Sequence, residues 1–251
     1  MEGIEVKLFY NKSAVENASY YFELAKKFER KAKGAERAIE EMEKRTLKKK
    51  KEKKERWVPK KWYEHFPHFF TSKSGLLCIA GRNAGENETL YRKYLEEGDL
   101  WFHADIVGAA SVVLKEGLNK SSLEDRMEAA SFAASYSRAW KNCYSSLDVY
   151  SVGKEQLYKE VQKAGAFGIR GEREWFKGSA VRLKAGLTEE AKPAIVPYRW
   201  KGPLKKPIDI RPCGKLSKDQ AAARIAKLLG ADEGYIKSLL PSGRFALRKV
   251  A

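Results

Sequence analysis

Cysteine and histidine are scarce in this 251-residue chain, three of each, and acidic residues are outnumbered, with 33 Asp and Glu against 50 Lys and Arg. Cys78, Cys143 and Cys213 are odd in number and far apart, which fits reduced thiols of a cytosol rather than a disulfide framework or a zinc knuckle. His65 and His68 sit three apart with no neighbouring Cys or acidic cluster, so no metal site is expected. Nowhere do 18 consecutive apolar residues occur, and the opening MEGIEVKLFYNKS lacks the basic-then-apolar order of a signal peptide. A cytoplasmic protein with no membrane partner is expected. The motifs GxxxxGK[ST], HExxH, GxSxG and CxxC are all missing, so neither an enzyme nor a cofactor is expected.

What the chain has in excess is positive charge: a formal +17 and a pI near 9.6. That surplus repels itself unless a polyanion is close, and nucleic acid or a nucleic-acid machine is the first partner to consider. With 43% hydrophobic and 12% aromatic residues the chain can still bury a core, which excludes wholesale disorder.

Three segments follow in order. In residues 1–58, Ser13 and Glu16 have the form of a capping box, after which Ala18, Tyr21, Ala25, Phe28, Ala32, Ala35, Ile39 and Met42 recur with 3,4 spacing. This stripe predicts a coiled-coil helix that needs a partner, because its four alanines bury little area. Nine basic residues between Lys44 and Arg56, against Glu52 and Glu55 alone, extend it to a stop at Pro59. Residues 59–185 read as mixed α+β. Strands are predicted over 76–80, 100–106, 111–115, 147–152, 166–170 and 175–183, with helices over 86–97, stopped by Gly98, and 122–141. Residues 186–251 read as an irregular Pro-rich connector containing a short strand over 208–211, then a small α/β module: helices over 217–229 and 232–240 and a strand over 245–250.

Two stretches are candidates for chemistry. AGRNAGENE, residues 80–88, joins a strand end to a helix start with Gly81, Gly85, Arg82, Asn83 and Asn87, which suits an anionic or ribose ligand but also serves as a turn. His103, in DLWFHAD, is open to two readings: bonded to Asp105 or backbone, or presented to phosphate or ribose.

The pieces SGLLCIAGRNAGENETLYRKYLEEGDLWFHADIVGAASVVLKEG, EAASFAASYSRAWK and GAFGIRGEREWF resemble the NFACT-R domain of the NFACT family (NEMF- and RqcH-like proteins), in its archaeal form. Upstream, SAVENASYYFELAKKFERKAKGAERAIEE resembles the start of that family's middle coiled coil, and the Ile-x-Ile-x-Pro passage and LLPSG resemble the archaeal tail. The family's large N-terminal domain and helix-hairpin-helix region have no counterpart in these residues. Val107 stands where archaeal relatives usually carry His, Ala110 replaces a more polar residue or Pro, and SVGKEQLYKEVQKAG replaces a Trp-rich segment. Arg82, Asn83, Asn87, His103, Asp105 and Arg170 match.

The resemblance implies ribosome-associated quality control, in which such proteins bind a large ribosomal subunit carrying a stalled peptidyl-tRNA and help extend the stalled chain at its C-terminus. The expected RNA-binding residues are Arg82, Asn83, Asn87, Trp101, His103, Lys115, Lys141 and Arg170, with Lys48, Lys49, Lys50 and Lys51 in the basic block. The expected partners are the large subunit and tRNA or rRNA. A second reading is a scaffold that forms a homodimer through residues 14–43, and a third makes His103 and Asp105 the acid and base of a nuclease.

Overall fold

The structure, a computed structural model, describes residues 6–51, 61–159 and 165–249, leaving aside the side chains of 43–51 and 249. The chain divides into two compact units, Met1–Trp57 and Val58–Ala251.

The first unit is built on one helix, α1 (Ala14–Lys51). Its capping box forms as the sequence predicts: the Ser13 N–H donates to Glu16 Oε2 at 2.7 Å, and the Glu16 N–H to Ser13 Oγ at 3.3 Å. Asn17, only 5% exposed, fastens the preceding residues back onto the helix, its amide donating to the carbonyls of Phe9, Lys12 and Ser13. Along the 3,4 stripe Phe28 and Ile39 are each 58% exposed.

In the second unit, β1 (His68–Thr71), β2 (Leu77–Ala80), α2 (Ala84–Thr89), β3 (Leu100–Ala104), β4 (Val112–Leu114), α3 (Gly117–Lys120), α4 (Leu123–Ser135), α5 (Arg138–Lys141) and β5 (Ser146–Gly153) lead to a small hairpin, β6 (Leu157–Lys159) and β7 (Phe167–Ile169). Next come β8 (Glu174–Ala180), β9 (Leu183–Leu187), β10 (Pro193–Pro197), β11 (Lys205–Leu216), α6 (Lys218–Leu229), α7 (Glu233–Leu239) and β12 (Phe245–Lys249). One antiparallel sheet has the order β1-β2-β4-β3-β5-β8 and a second β10-β9-β11-β12. The fold is mixed α+β.

Period-2 alternation gives the larger sheet two buried faces. On one, Leu100, Phe102, Val112, Val149 and Phe176 pack with Phe132 of α4, and the same core continues into Leu183, Ile210, Ile225 and Phe245 of the later elements. The boundary read from the sequence at 185/186 therefore falls within β9, inside one core. On the other face Ile79, Trp101, Val113 and Val152 pack with Phe66, Leu90 and Leu157.

Local chemistry explains where the elements depart from the spacing. The helix predicted over 86–97 opens into a wider turn at Leu90–Tyr94, because the Leu95 N–H bonds back to the Leu90 carbonyl at 2.8 Å. Gly98, at φ +89°, turns the chain after that point rather than capping the helix. The helix predicted over 122–141 breaks at Tyr136: Ser135 and Ser137 return their hydroxyls to the Ser131 and Ala134 carbonyls, and Ser137 starts α5 by accepting the Ala139 N–H. The Pro-rich connector holds more sheet than the short strand read over 208–211: β10 and the long β11 run through it. Pro193 and Pro197 lie on β10, an edge strand where a missing N–H costs little, while Pro207 and Pro212 fall at register shifts of β11.

Cys78 is a buried thiol, as expected. Cys143 and Cys213 are not free, however: they form a disulfide with their Cα atoms 5.0 Å apart. A separation of 70 residues hides such a pair in sequence, and the packing of α5 on β11 brings the two together.

Glu128 of α4 is 3% exposed and accepts the Lys73 N–H at 3.2 Å. Burial, helped by the Asp125 and Glu124 carboxylates, pushes its pKa up to about 7 from 4.5. The folded state thus holds a proton that the unfolded chain releases near 4.5. This group's contribution is complete below that pH and is lost as pH rises through 7, by at most about 3 kcal/mol. Urea unfolding at pH 5 and pH 8.5 should show Glu128→Gln lacking this loss, and an identical pH dependence in the two proteins would refute it.

Candidate nucleic-acid interface

The face carrying Trp101 is covered at its middle and open toward the β8 edge. Register places His103 of β3 opposite Tyr150 of β5, and Tyr150 opposite Trp175 of β8, so three rings form one row across three strands. The Tyr150 and Trp175 rings meet edge to face at 5.4 Å, and the Tyr150 hydroxyl lies 3.4 Å from His103 Nδ1. Cations lie on the row: Arg173 Cζ is 4.7 Å from the Tyr150 ring centroid and Lys177 Nζ 4.5 Å from that of Trp175. On the adjoining hairpin Arg170 Cζ stacks 4.7 Å from the Tyr158 ring. Trp175 and Tyr158 are 39% and 37% exposed. Of the acidic groups here, Asp105 is exposed, and Asp148 accepts from Lys177 at 2.9 Å and from the Gly178 N–H at 2.8 Å.

Burial holds the His103 pKa below its ordinary 6.5, so the imidazole is neutral at pH 7. A neutral ring bonded to Tyr150 can accept or donate a hydrogen bond, while the charge comes from Arg170, Arg173 and Lys177. Tyr150 is 9% exposed beneath Arg173, so the rings open to an unpaired base are Trp175 and Tyr158, with fixed cations beside them to hold phosphates.

Of the residues singled out in the sequence, His103 and Arg170 lie on this strip. Trp101 does not stack on anything outside: it is 1% exposed, against Phe167 at 5.0 Å, because the position two residues along β3 from His103 falls under the hairpin. Asn87 is 8% exposed and accepts the Ser111 N–H at 3.2 Å, filling the space that a side chain at Gly81 would need. Asn83 caps α2 by accepting the Glu86 N–H at 2.9 Å, and Arg82 pairs with Glu86 at 2.7 Å. The side chains of Arg82, Asn83 and Asn87 are thus engaged within the protein, the first two inside the turn and Asn87 with Ser111. Lys115, 16% exposed at its side chain, is bound by Asp99 at 2.6 Å, Glu96 at 2.7 Å and the Tyr94 carbonyl. Lys141 is exposed at the end of α5. The side chains of Lys48, Lys49, Lys50 and Lys51 lie outside the described residues. Val107 is 77% exposed at the tip of the loop between β3 and β4, and Ala110 is 7% exposed with its N–H on the Tyr136 carbonyl.

Sequence reasoning missed Tyr150, Tyr158, Arg173, Trp175 and Lys177. Part of the signal was present: Arg173, Trp175 and Lys177 alternate, which puts all three on one face of a strand.

Residues 66–171 match the family described as NFACT protein RNA binding domain, a span that includes His103, Tyr150, Tyr158 and Arg170. The chain is 38% identical over 209 residues to the archaeal Rqc2 homolog aRqcH of Methanocaldococcus jannaschii, an alignment covering 78% of this chain and 30% of that protein. It belongs to the NFACT family, in its archaeal form. The ribosome quality control complex subunit NEMF of mouse is 29% identical over 87% of this chain and 22% of its own length, and that of human 33% identical over 68% and 17%. This NFACT chain therefore spans about a third or less of these relatives. Arg173, Trp175 and Lys177 continue the strip just past the matched RNA-binding domain.

Proposed function

We propose that this chain is an RNA-binding part of ribosome-associated quality control, acting in the cytoplasm on tRNA or rRNA of a large ribosomal subunit with a stalled nascent chain, and aiding its C-terminal tailing. It works by binding and not by bond-making. The observation that carries this reading is the row His103–Tyr150–Trp175 with Arg173 and Lys177 laid on it. Two relatives named as ribosome quality control subunits, the RNA-binding domain match and the formal charge of +17 support it. Base stacking on an aromatic ring contributes about 1–3 kcal/mol.

The test is co-sedimentation with purified large subunits, together with titration of single-stranded RNA at several salt concentrations. Arg173→Ala with Trp175→Ala should weaken binding roughly 5- to 100-fold. Replacing Lys48, Lys49, Lys50 and Lys51 with Gln should flatten the slope of log K against log salt by about 3. Binding that ignores both changes would leave the second reading, a homodimeric scaffold. That reading rests on the exposed Phe28 and Ile39 of the α1 stripe, for which an antiparallel pairing keeps the two basic blocks apart. Sedimentation equilibrium of the wild type against Phe28→Asp plus Ile39→Asp decides it.

A further inference from the structure

A cavity of about 550 Å³ opens on the other side of the larger sheet, between α4 (Glu124, Met127, Glu128), Lys184 of β9 and residues 198–202 of the β10–β11 connection. Its volume suits a small organic ligand. The aromatic wall residues are fixed in place. Trp200 Nε1 donates to the Thr71 carbonyl at 2.6 Å, its N–H to the Pro197 carbonyl at 3.0 Å, and its carbonyl accepts from Lys184 Nζ at 2.5 Å. Its ring lies against Gly202, where a Cβ would come within 2.1 Å of it. Tyr198 is backed by the Arg182 guanidinium 3.3 Å from its ring centroid, and that guanidinium is clamped by buried Asp209 through bonds of 2.6 and 2.7 Å.

We propose that this cavity binds a single nucleotide unit, its base against Trp200 and Tyr198 and its phosphate toward Lys201 and Arg199. The two fixed rings and Met127 supply apolar lining, and the Glu128 carboxyl and Lys184 amine supply polar groups for a base edge. Glu124 is already tied by Lys73 and, at 3.3 Å, by Lys201, so the mouth is not an unopposed acidic cluster. Both polar groups below the walls are driven toward neutrality by burial, Glu128 upward and Lys184 downward, a mark of sites that take ligands. The nucleotide could be free or the end of a single strand. Only the latter source rests on the RNA-binding reading above.

Isothermal titration of the full chain with adenosine 5′-monophosphate should show saturable binding at one site. Trp200→Ala should weaken it at least tenfold, and Trp200→Phe, which keeps a flat ring, should stay within about threefold of wild type. Displacement of the nucleotide by a linear five-nucleotide RNA but not by the same sequence circularised identifies a strand end; displacement by neither identifies free nucleotide. No binding at millimolar nucleotide, equal binding by wild type and folded Trp200→Ala, or binding of glycine in preference to the nucleotide overturns the proposal. A chain that binds the nucleotide but no ribosomal RNA leaves the cavity assignment standing and removes the RNA-binding function instead.

Discussion

Trp101→Ala is expected to destabilise the chain by about 3–5 kcal/mol, the usual result of emptying the space of a fully buried large ring. The indole packs edge to face against Phe167 at 5.0 Å and Tyr91 at 6.4 Å, beneath the β6–β7 hairpin, so its loss also loosens the hairpin that carries Tyr158 and Arg170. For a unit of this size the melting temperature should fall by roughly 6–20 °C. RNA affinity per folded molecule should change far less than with Arg173→Ala plus Trp175→Ala. A Trp101→Ala protein that melts like wild type yet binds RNA poorly would return Trp101 to the RNA-contacting surface.

Breaking the Cys143–Cys213 disulfide should have an effect of similar size. Closing a loop of 70 residues restricts the unfolded chain by about 4 kcal/mol. Both cysteines hold left-handed backbone, φ +65° and +64°, a conformation that non-glycine residues keep only when their surroundings fix it. The bond fastens the turn after α5 to the irregular end of β11, and both residues are exposed, so reductant can reach it. Guanidinium unfolding with and without dithiothreitol should give midpoints that differ in the wild type and coincide in Cys143→Ser. Thiol titration of the unfolded, unreduced chain should find one reactive group, Cys78. Three thiols, or midpoints that do not move, would show that the crosslink is not made.

The sequence was most legible where a single local interaction decides the outcome. Ser13 with Glu16, Ser217 with Gln220 and Asp232 with the Tyr235 N–H start helices where the residue types say they must. Gly230, at φ +69°, ends α6. It was least legible where two local signals compete: Ser135 and Ser137 against a helix that Ala-rich spacing would have continued, and prolines that suggest a connector yet sit on an edge strand and at bulges.

The sequence by itself determined the charge, the α+β alternation, the long α1 helix with its open stripe and the family to which the chain belongs. These depend on composition, on the 3.6- and 2-residue periods and on short motifs, all carried by residues near one another in the chain. Only the tertiary structure decided which side chains meet. Trp101 and His103 are two residues apart on one strand and share a face, yet the hairpin buries the first and stops short of the second. Antiparallel register sets Tyr150 beside His103 and Trp175 beside Tyr150, and Cys143 meets Cys213 because α5 and the turn after it pack on β11. Register and packing are set by the burial of the whole apolar pattern at once, so no local window of sequence contains them.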